Sequence, residues 1–515
     1  MRATPDHSVP PTLPQVVVLT QVSDVALGQC GAMTSRYPVT ALPETDARPT
    51  PEAVDPAAPD GSAEAPVYPN PGDEPLGAHT DDRGVRRPPR PLHDPFYDTP
   101  GDLSLLDPGT IVRSRRVRLG FLGLVPQRNL IAHQLAFRST DLHGRPELAV
   151  TTVVTAGRPA TARPPRMIAY QCAIDAVADV CFPSYALRAG ARAWGSFPQL
   201  ELLVIAALAA RGYVVTVADH EGRGGRFAAP REPGHRVLDG IRATLAFAPL
   251  RLAAATPVGL IGYSGGGMAS AWTAELAPAY APELPIVGAV LGSPVGDPGQ
   301  AFRKLNGGLF AGLPALVVSG LREVYPGLDD VISRYGTTEG LRRLDALREM
   351  TTVKAVAHCA YDDFGDYIDV PLDDILAGEE VSAVFDDLRL GVTAPACPVL
   401  VVQAERDRTI DVADVDALVG RYLDGGADLR YLRDRSSGHN SAMILALPTM
   451  LGWLERRFDT AMATPGRHTT RSFLFAPRAR RGFSALLHAS ARTVIGRHRS
   501  TAPTRNRTAP SPEYR

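Results

Sequence analysis

The chain has 515 residues, 44% hydrophobic and 21% charged, a balance that excludes whole-chain disorder, and at ~150 residues per domain its length allows for more than one. Its 54 basic and 55 acidic side chains leave a net charge of −1, which gives nucleic acid no general electrostatic purchase. No run reaches the ~18 apolar residues that span a bilayer, so a transmembrane segment is excluded.

Residues 1–91 hold 17 of the 47 prolines, and twelve acids against seven bases. Such a stretch buries too little apolar surface to offset its ordering entropy, and it predicts a disordered leader. Within it, Arg2 and the apolar Val16-Val17-Val18-Leu19, interrupted by Gln21 and Asp24, match a secretory signal poorly. From about 148 onward, short, β-branched, continuously apolar runs predict strands over 149–156, 167–172, 213–219, 258–263, 286–292, 398–404 and 429–432. Helical patterns over 200–211, 237–247, 266–277, 412–422 and 441–458 fall between them. In the first, Leu200, Leu203, Val204, Ala207 and Leu208 recur at the spacing of one buried face. Alternating strands and helices predict an α/β fold, with a mostly parallel central sheet flanked by helices.

The gap between 292 and 398 far exceeds the ~30 residues of a simple crossover. It has helical patterns of its own, such as 341–349, so 297–390 reads as an inserted, mainly helical lid between core segments 92–296 and 391–460. The tail 461–515 has eleven Arg and one acid, Glu513. It reads as a solvated basic tail, or as a basic amphipathic segment built on its apolar patch 483–495.

Gly262-Tyr263-Ser264-Gly265-Gly266 is the strongest chemical signal. A G-x-S-x-G between an apolar strand and a helix makes a nucleophile elbow, a sharp turn that projects the serine hydroxyl. The helix start behind it offers N–H donors to a developing oxyanion, Gly265 first; the alternative is a bystander serine in a Gly-rich turn. Of the histidines that follow, His358 falls in the insert and His468, His488 and His498 in the tail. His439 remains as the base, in a short loop before the last core helix. Asp407, three residues past a strand end, is the orienting acid, with Glu405, Asp411 and Asp414 as competitors. The order Ser264, Asp407, His439 is that of α/β-hydrolases. A second oxyanion donor should come from the loop after 167–172, where Ala173, Ile174 and Asp175 are all candidates.

Asp219-His220-Glu221-Gly222 sets adjacent ligand types at a strand end with no third histidine nearby, and reads as a structural turn. With five cysteines and no C-x-x-C, neither metal nor cofactor is expected. Cys172 and Cys397 read as buried thiols, whereas Cys181 and Cys359, in loop and insert, are placed where they can pair.

The region from about 93 to 458 resembles the secretory lipase family of fungi and actinobacteria, the Candida antarctica lipase A type. The resemblance is carried by Asp94-Pro95-Phe96-Tyr97, Tyr170-Gln171, Pro183-Ser184-Tyr185, Asp219-His220-Glu221-Gly222, Asp239-Gly240-Ile241-Arg242-Ala243, the elbow itself, Tyr280-Ala281-Pro282-Glu283-Leu284 and Leu305-Asn306-Gly307-Gly308. It implies an α/β-hydrolase with a lid, acting on carboxylic esters including triacylglycerols and secreted or held at the cell envelope. On it, Ser264 matches the nucleophile, Asp407 the acid, His439 the base and Asp175 the oxyanion-hole aspartate. Cys181 and Cys359 match a disulfide joining core to lid, which implies an oxidising compartment. The expected partner is a lipid or acyl-ester substrate, at a lipid interface. Alternatives are an esterase of smaller soluble esters, an acyltransferase using the same acyl-enzyme, and a non-catalytic binding protein on the same fold.

Overall fold

The computed structural model describes residues 79–99, 101–157, 164–459 and 466–473, with 484, 488 and 491 beyond them. The leader expected over residues 1–78, and most of the basic tail with its apolar patch, lie outside the described residues. The strands are β1 (His79–Asp81), β2 (Ile111–Val117), β3 (Gly120–Phe121), β4 (Val125–Pro126), β5 (Leu130–Thr140), β6 (Pro146–Ala156), β7 (Met167–Gln171), β8 (Val214–Ala218), β9 (Val258–Tyr263), β10 (Ile286–Gly292), β11 (Val399–Ala404), β12 (Leu429–Asp434) and β13 (Gly466–Thr470). The helices are α1 (Pro183–Ala186), α2 (Pro198–Ala210), α3 (Glu232–Ala246), α4 (Gly265–Tyr280), α5 (Pro298–Leu305), α6 (Gly312–Leu321), α7 (Pro326–Tyr335), α8 (Thr338–Leu347), α9 (Thr352–His358), α10 (Leu372–Ala377), α11 (Glu379–Leu388), α12 (Val412–Asp424) and α13 (His439–Phe458).

Strands buried on both faces explain the continuous apolar runs, since β7, β8, β9 and β11 bury every residue. Successive side chains go to opposite sides. Ile168, Ile261 and Leu400 pack with α2 and α13 on one face, while Met167, Leu260 and Val399 pack with α3, α4 and α12 on the other. The sheet order is β1-β2-β5-β6-β8-β7-β9-β10-β11-β12-β13. Every pairing from β8 to β13 is parallel. The β2–β5, β5–β6 and β6–β8 pairings are antiparallel. Between β10 and β11 the chain runs through α5–α11; α5, α6, α7, α10 and α11 share an apolar cluster that includes Phe302, Leu328, Val331 and Val384, while Leu347 of α8 and Ala355 of α9 pack with the sheet's core.

Three departures from the sequence reading have a common cause, in that polar pairing does work that apolar counting misses. The leader expected to be disordered through residue 91 is folded from His79, where β1 pairs with β2. Asp82 and Asp94 hold it down. Arg115 Nη1 lies 2.6 Å from Asp94 and 3.3 Å from Asp82, and Arg188 reaches Asp82 at 3.3 Å. Strands β2 and β5 were not expected because Arg113, Arg115, Arg116, His133 and Gln134 interrupt them. Inside the fold Arg115 Nε donates to Gln134 Oε1 at 2.7 Å. At the other end, part of the tail is built in: β13 pairs with β12, and buried Phe473 donates its N–H to Asp434 Oδ2 at 2.6 Å. In α2 the buried residues include Ala207 and Leu208 of the expected face and also Leu202, Ile205, Ala206 and Ala209, with Leu200 exposed. The helix is apolar nearly all round, so its periodicity did not fix the phase.

Replacing Arg115 by Met should leave the Asp82–Asp94 pair short of positive charge in a buried setting. A loss of about 3 kcal/mol is expected in urea unfolding, with an unchanged slope.

Candidate active site

Strand β9 ends at Tyr263, and Ser264 turns the chain into α4 at φ 56°, ψ −124°, a conformation costly for any residue with a Cβ. The first turn of α4 lies directly on the end of β7. A Cβ at Gly266 would stand 2.1 Å from the carbonyl oxygen of Gln171. That packing holds half-buried Ser264 at the C-terminal end of a central strand.

His439 opens α13. Its Nε2 lies 3.0 Å from Ser264 Oγ and its Nδ1 2.7 Å from Asp407 Oδ2. Asp434, at the end of β12, shapes the approach by accepting from Ser436 N at 2.7 Å and Ser437 N at 3.0 Å. Asp407 is fixed by its own turn, since Oδ1 accepts from Thr409 N and Ile410 N, each at 2.8 Å. The competing acids are engaged elsewhere. Asp411 caps α12 through Ala413 N and pairs with Lys304, Asp414 accepts from Gly296 N, and Glu405 faces Arg435.

Asp175 sits in the loop after β7 at φ 45°, buried. Its Oδ1 has no hydrogen-bond partner and rests over Gly265, where a Cβ would stand 1.9 Å away. Burial pushes its carboxyl up to about 7, with the charge of His439 acting the other way. Ala173 and Ile174 face away from this role. Ala173 N–H donates to Glu201 Oε2 at 3.1 Å, and Ile174 offers its carbonyl to Thr352 Oγ1 at 3.0 Å.

Two carboxyls that sequence reasoning missed hold this loop from beneath. Glu201 also accepts from Tyr170 OH at 3.1 Å, and Glu221 lies against the backbone of Asp175 and Ala176. Burial raises both, Glu201 to about 8. The available signal for Glu201 was a lone acid inside the apolar α2, and for Glu221 its place in Asp219-His220-Glu221-Gly222. That tetrapeptide has internal tasks throughout. Asp219 accepts from Ser184 N at 2.8 Å, and His220 Nε2 donates to the Cys172 carbonyl at 2.9 Å, with burial lowering the imidazole to about 4.

A cavity of ≈ 190 Å³ opens from Ser264, Gly265 and Asp175. Its far walls come from the α5–α11 segment, among them Phe302, Val317, Leu321, Leu344 and Phe385. Among the described residues, no group of three metal-ligating side chains is assembled, and no helix is long and apolar enough to cross a membrane.

The expected Cys181–Cys359 disulfide is absent, and both cysteines are buried free thiols. Cys181 lies against Ser196 and Thr352, at the start of α9, and Cys359 follows its end beside Asp362 and Arg343. Cys181 packs into one core cluster and Cys359 into another.

The pattern of the Secretory lipase family matches residues 187–466. The chain belongs to the secretory lipase family. A Mycobacterium tuberculosis relative, whose name is "probable inactive lipase", is 50% identical over 418 residues, covering 81% of this chain and 94% of that one. Lipase A of Arthroderma benhamiae is 33% identical over 395 residues, 75% of this chain and 83% of that one. Candida antarctica lipase A in its closed state superposes with a TM-score of 0.71 at 27% identity, covering 78% of this chain and 95% of that one. This member of the family therefore has the α/β-hydrolase fold, with the mostly parallel central sheet and flanking helices described above.

Cysteine labelling should report the free thiols directly. In denaturant without reductant, peptide mapping should find both Cys181 and Cys359 alkylated; in the folded protein both should resist, since burial pushes them up to about 12 and about 11.

Proposed function

We propose that this chain is a secreted serine ester hydrolase that cleaves long-chain acyl esters, triacylglycerols among them. The observation that carries the reading is the hydrogen-bonded run Ser264 Oγ, His439, Asp407 at 3.0 and 2.7 Å, set on a strained turn at the mouth of an apolar cavity. One relative is named inactive; the complete run of hydroxyl, imidazole and carboxylate here favours activity.

In this reading His439 Nε2 takes the Ser264 proton as Oγ bonds to the ester carbonyl carbon. Asp407 holds Nδ1–H and so fixes the tautomer that leaves Nε2 free to accept. The tetrahedral oxyanion receives the Gly265 N–H. The second donor in this reading is the carboxyl of Asp175, kept protonated by burial, whose Oδ1 rests unpartnered over Gly265. His439 then protonates the departing alcohol. Water, deprotonated by the same imidazole, attacks the acyl-enzyme and releases the carboxylic acid. Helices α5–α11 act as the lid, and their apolar lining suits a long acyl chain.

Ser264→Ala should abolish both hydrolysis of a chromogenic acyl ester and labelling by a fluorophosphonate, and persistence of either rejects the reading. A chain-length series on the wild type should favour long acyl groups. Asp175→Ala should cost ~10²–10³ in turnover. The acid donates only while protonated, so wild-type kcat should fall as pH rises through about 7. Asp175→Asn keeps an N–H donor without titrating and should hold its rate across that range.

A further inference from the structure

Two hydroxyls outside the Ser264–His439–Asp407 run touch two of its members. Tyr263, the residue before the proposed nucleophile, donates its O–H to the backbone carbonyl of His439 at 2.8 Å. Its ring lies against the His439 imidazole, with centroids 5.3 Å apart. Ser293, directly after β10, donates to Tyr263 OH at 2.9 Å. Its Oγ also stands 3.4 Å from Asp407 Oδ2, the same oxygen that faces His439 Nδ1. Asp407, Ser293, Tyr263 and His439 thus form a closed loop of contacts around the imidazole.

Ser293 is fully buried and holds φ 37°, in the left-handed region that disfavours side chains. Its N–H is pinned to the Val402 carbonyl at 2.8 Å, which ties the strained residue to β11, the strand that leads to Asp407. A glycine would adopt this turn at less cost, so the serine needs a reason beyond the backbone. Its hydroxyl supplies that reason. By donating into Tyr263 it polarises the phenol, whose own O–H then grips the His439 carbonyl more firmly. Neither residue is among those lining the cavity.

We infer that Ser293 and Tyr263 are positioning residues for the proposed hydrolysis, a relay that clamps the backbone of His439 so that its ring stays seated between Asp407 and Ser264. This rests on the hydrolase reading. Because the relay is ordered, with Ser293 acting through Tyr263, its members are expected to be non-additive.

The test is steady-state ester hydrolysis by wild type, Tyr263→Phe, Ser293→Gly and the double variant, with thermal midpoints measured alongside. Tyr263→Phe should lower kcat about tenfold, the weight of one neutral hydrogen bond, with KM within about twofold. Ser293→Gly relieves the strained φ, so its midpoint should hold or rise while kcat falls in the same direction. A merely structural serine would instead lose both together. The double variant should be no slower than Tyr263→Phe. Rates within twofold of wild type, losses that multiply in the double variant, or a loss confined to KM would each overturn the inference. A wild type that neither turns over ester nor takes a fluorophosphonate label would instead sink the hydrolase reading, and this clamp with it.

Discussion

The arrangement depends on how closely the first turn of α4 approaches the strand ends beside it. No side chain fits between that turn and the Gln171 carbonyl, or between Gly265 and the Asp175 carboxyl. With no Cβ at either point, the helix descends onto the sheet, and the residue between strand and helix is forced to a positive φ. Ser264 carries that strain, and Asp175, at φ 45°, carries a similar one on the facing loop. Each is held by the packing of its neighbours, since nothing in its own local preference favours it.

A second constraint follows from burial. The ends of the central strands converge on a buried region where many polar groups are satisfied by one another, while Asp175 Oδ1 is left unpartnered. Asp407 and Asp434 each turn a loop by accepting consecutive backbone N–H groups, and both loops deliver a member of the site. Glu201, which accepts the Ala173 N–H, supports the loop that carries Asp175. The difference lies in charge. No arginine or lysine hydrogen-bonds to Glu201 or Asp175, so desolvation dominates and their protons are retained to higher pH. A carboxyl that stays protonated is a donor, which the more exposed, arginine-paired acids of the surface are not.

What the sequence made legible follows from which physical signal each element carries. Strands β9 and β10 were readable to the residue because short runs without a charged side chain report a buried strand. The Ser264 elbow was readable because its glycines are a steric requirement. His439 and Asp407 were reachable by elimination, since chain order and strand ends left few candidates. Strands β2 and β5 were not reachable, because Arg115 and Gln134 look like surface residues until each is seen to satisfy the other. The roles of Glu201 and Glu221 depend on loop backbone approaching from elsewhere in the chain, a contact that no local pattern encodes. The disulfide failed for a related reason. Resemblance suggested a partner for each cysteine, but the two thiols are packed into different core clusters.

Helix α9 shows what joins the α5–α11 segment to the core in place of a covalent bond. Thr352 Oγ1 holds the Ile174 carbonyl at 3.0 Å, Thr351 Oγ1 the Trp194 carbonyl at 2.9 Å, and Val353 N–H the Gly195 carbonyl at 3.1 Å. Each bond is worth about 1 kcal/mol net. A disulfide closing so long a loop would constrain the unfolded chain by up to about 5 kcal/mol and would hold at any conformation of the segment. Hydrogen bonds instead act only in the folded arrangement and only while the three residues remain in register. One of them ends on the residue next to Asp175. The geometry of the loop beneath the proposed oxyanion is therefore tied to the seating of α9 through contacts that form and break without redox chemistry.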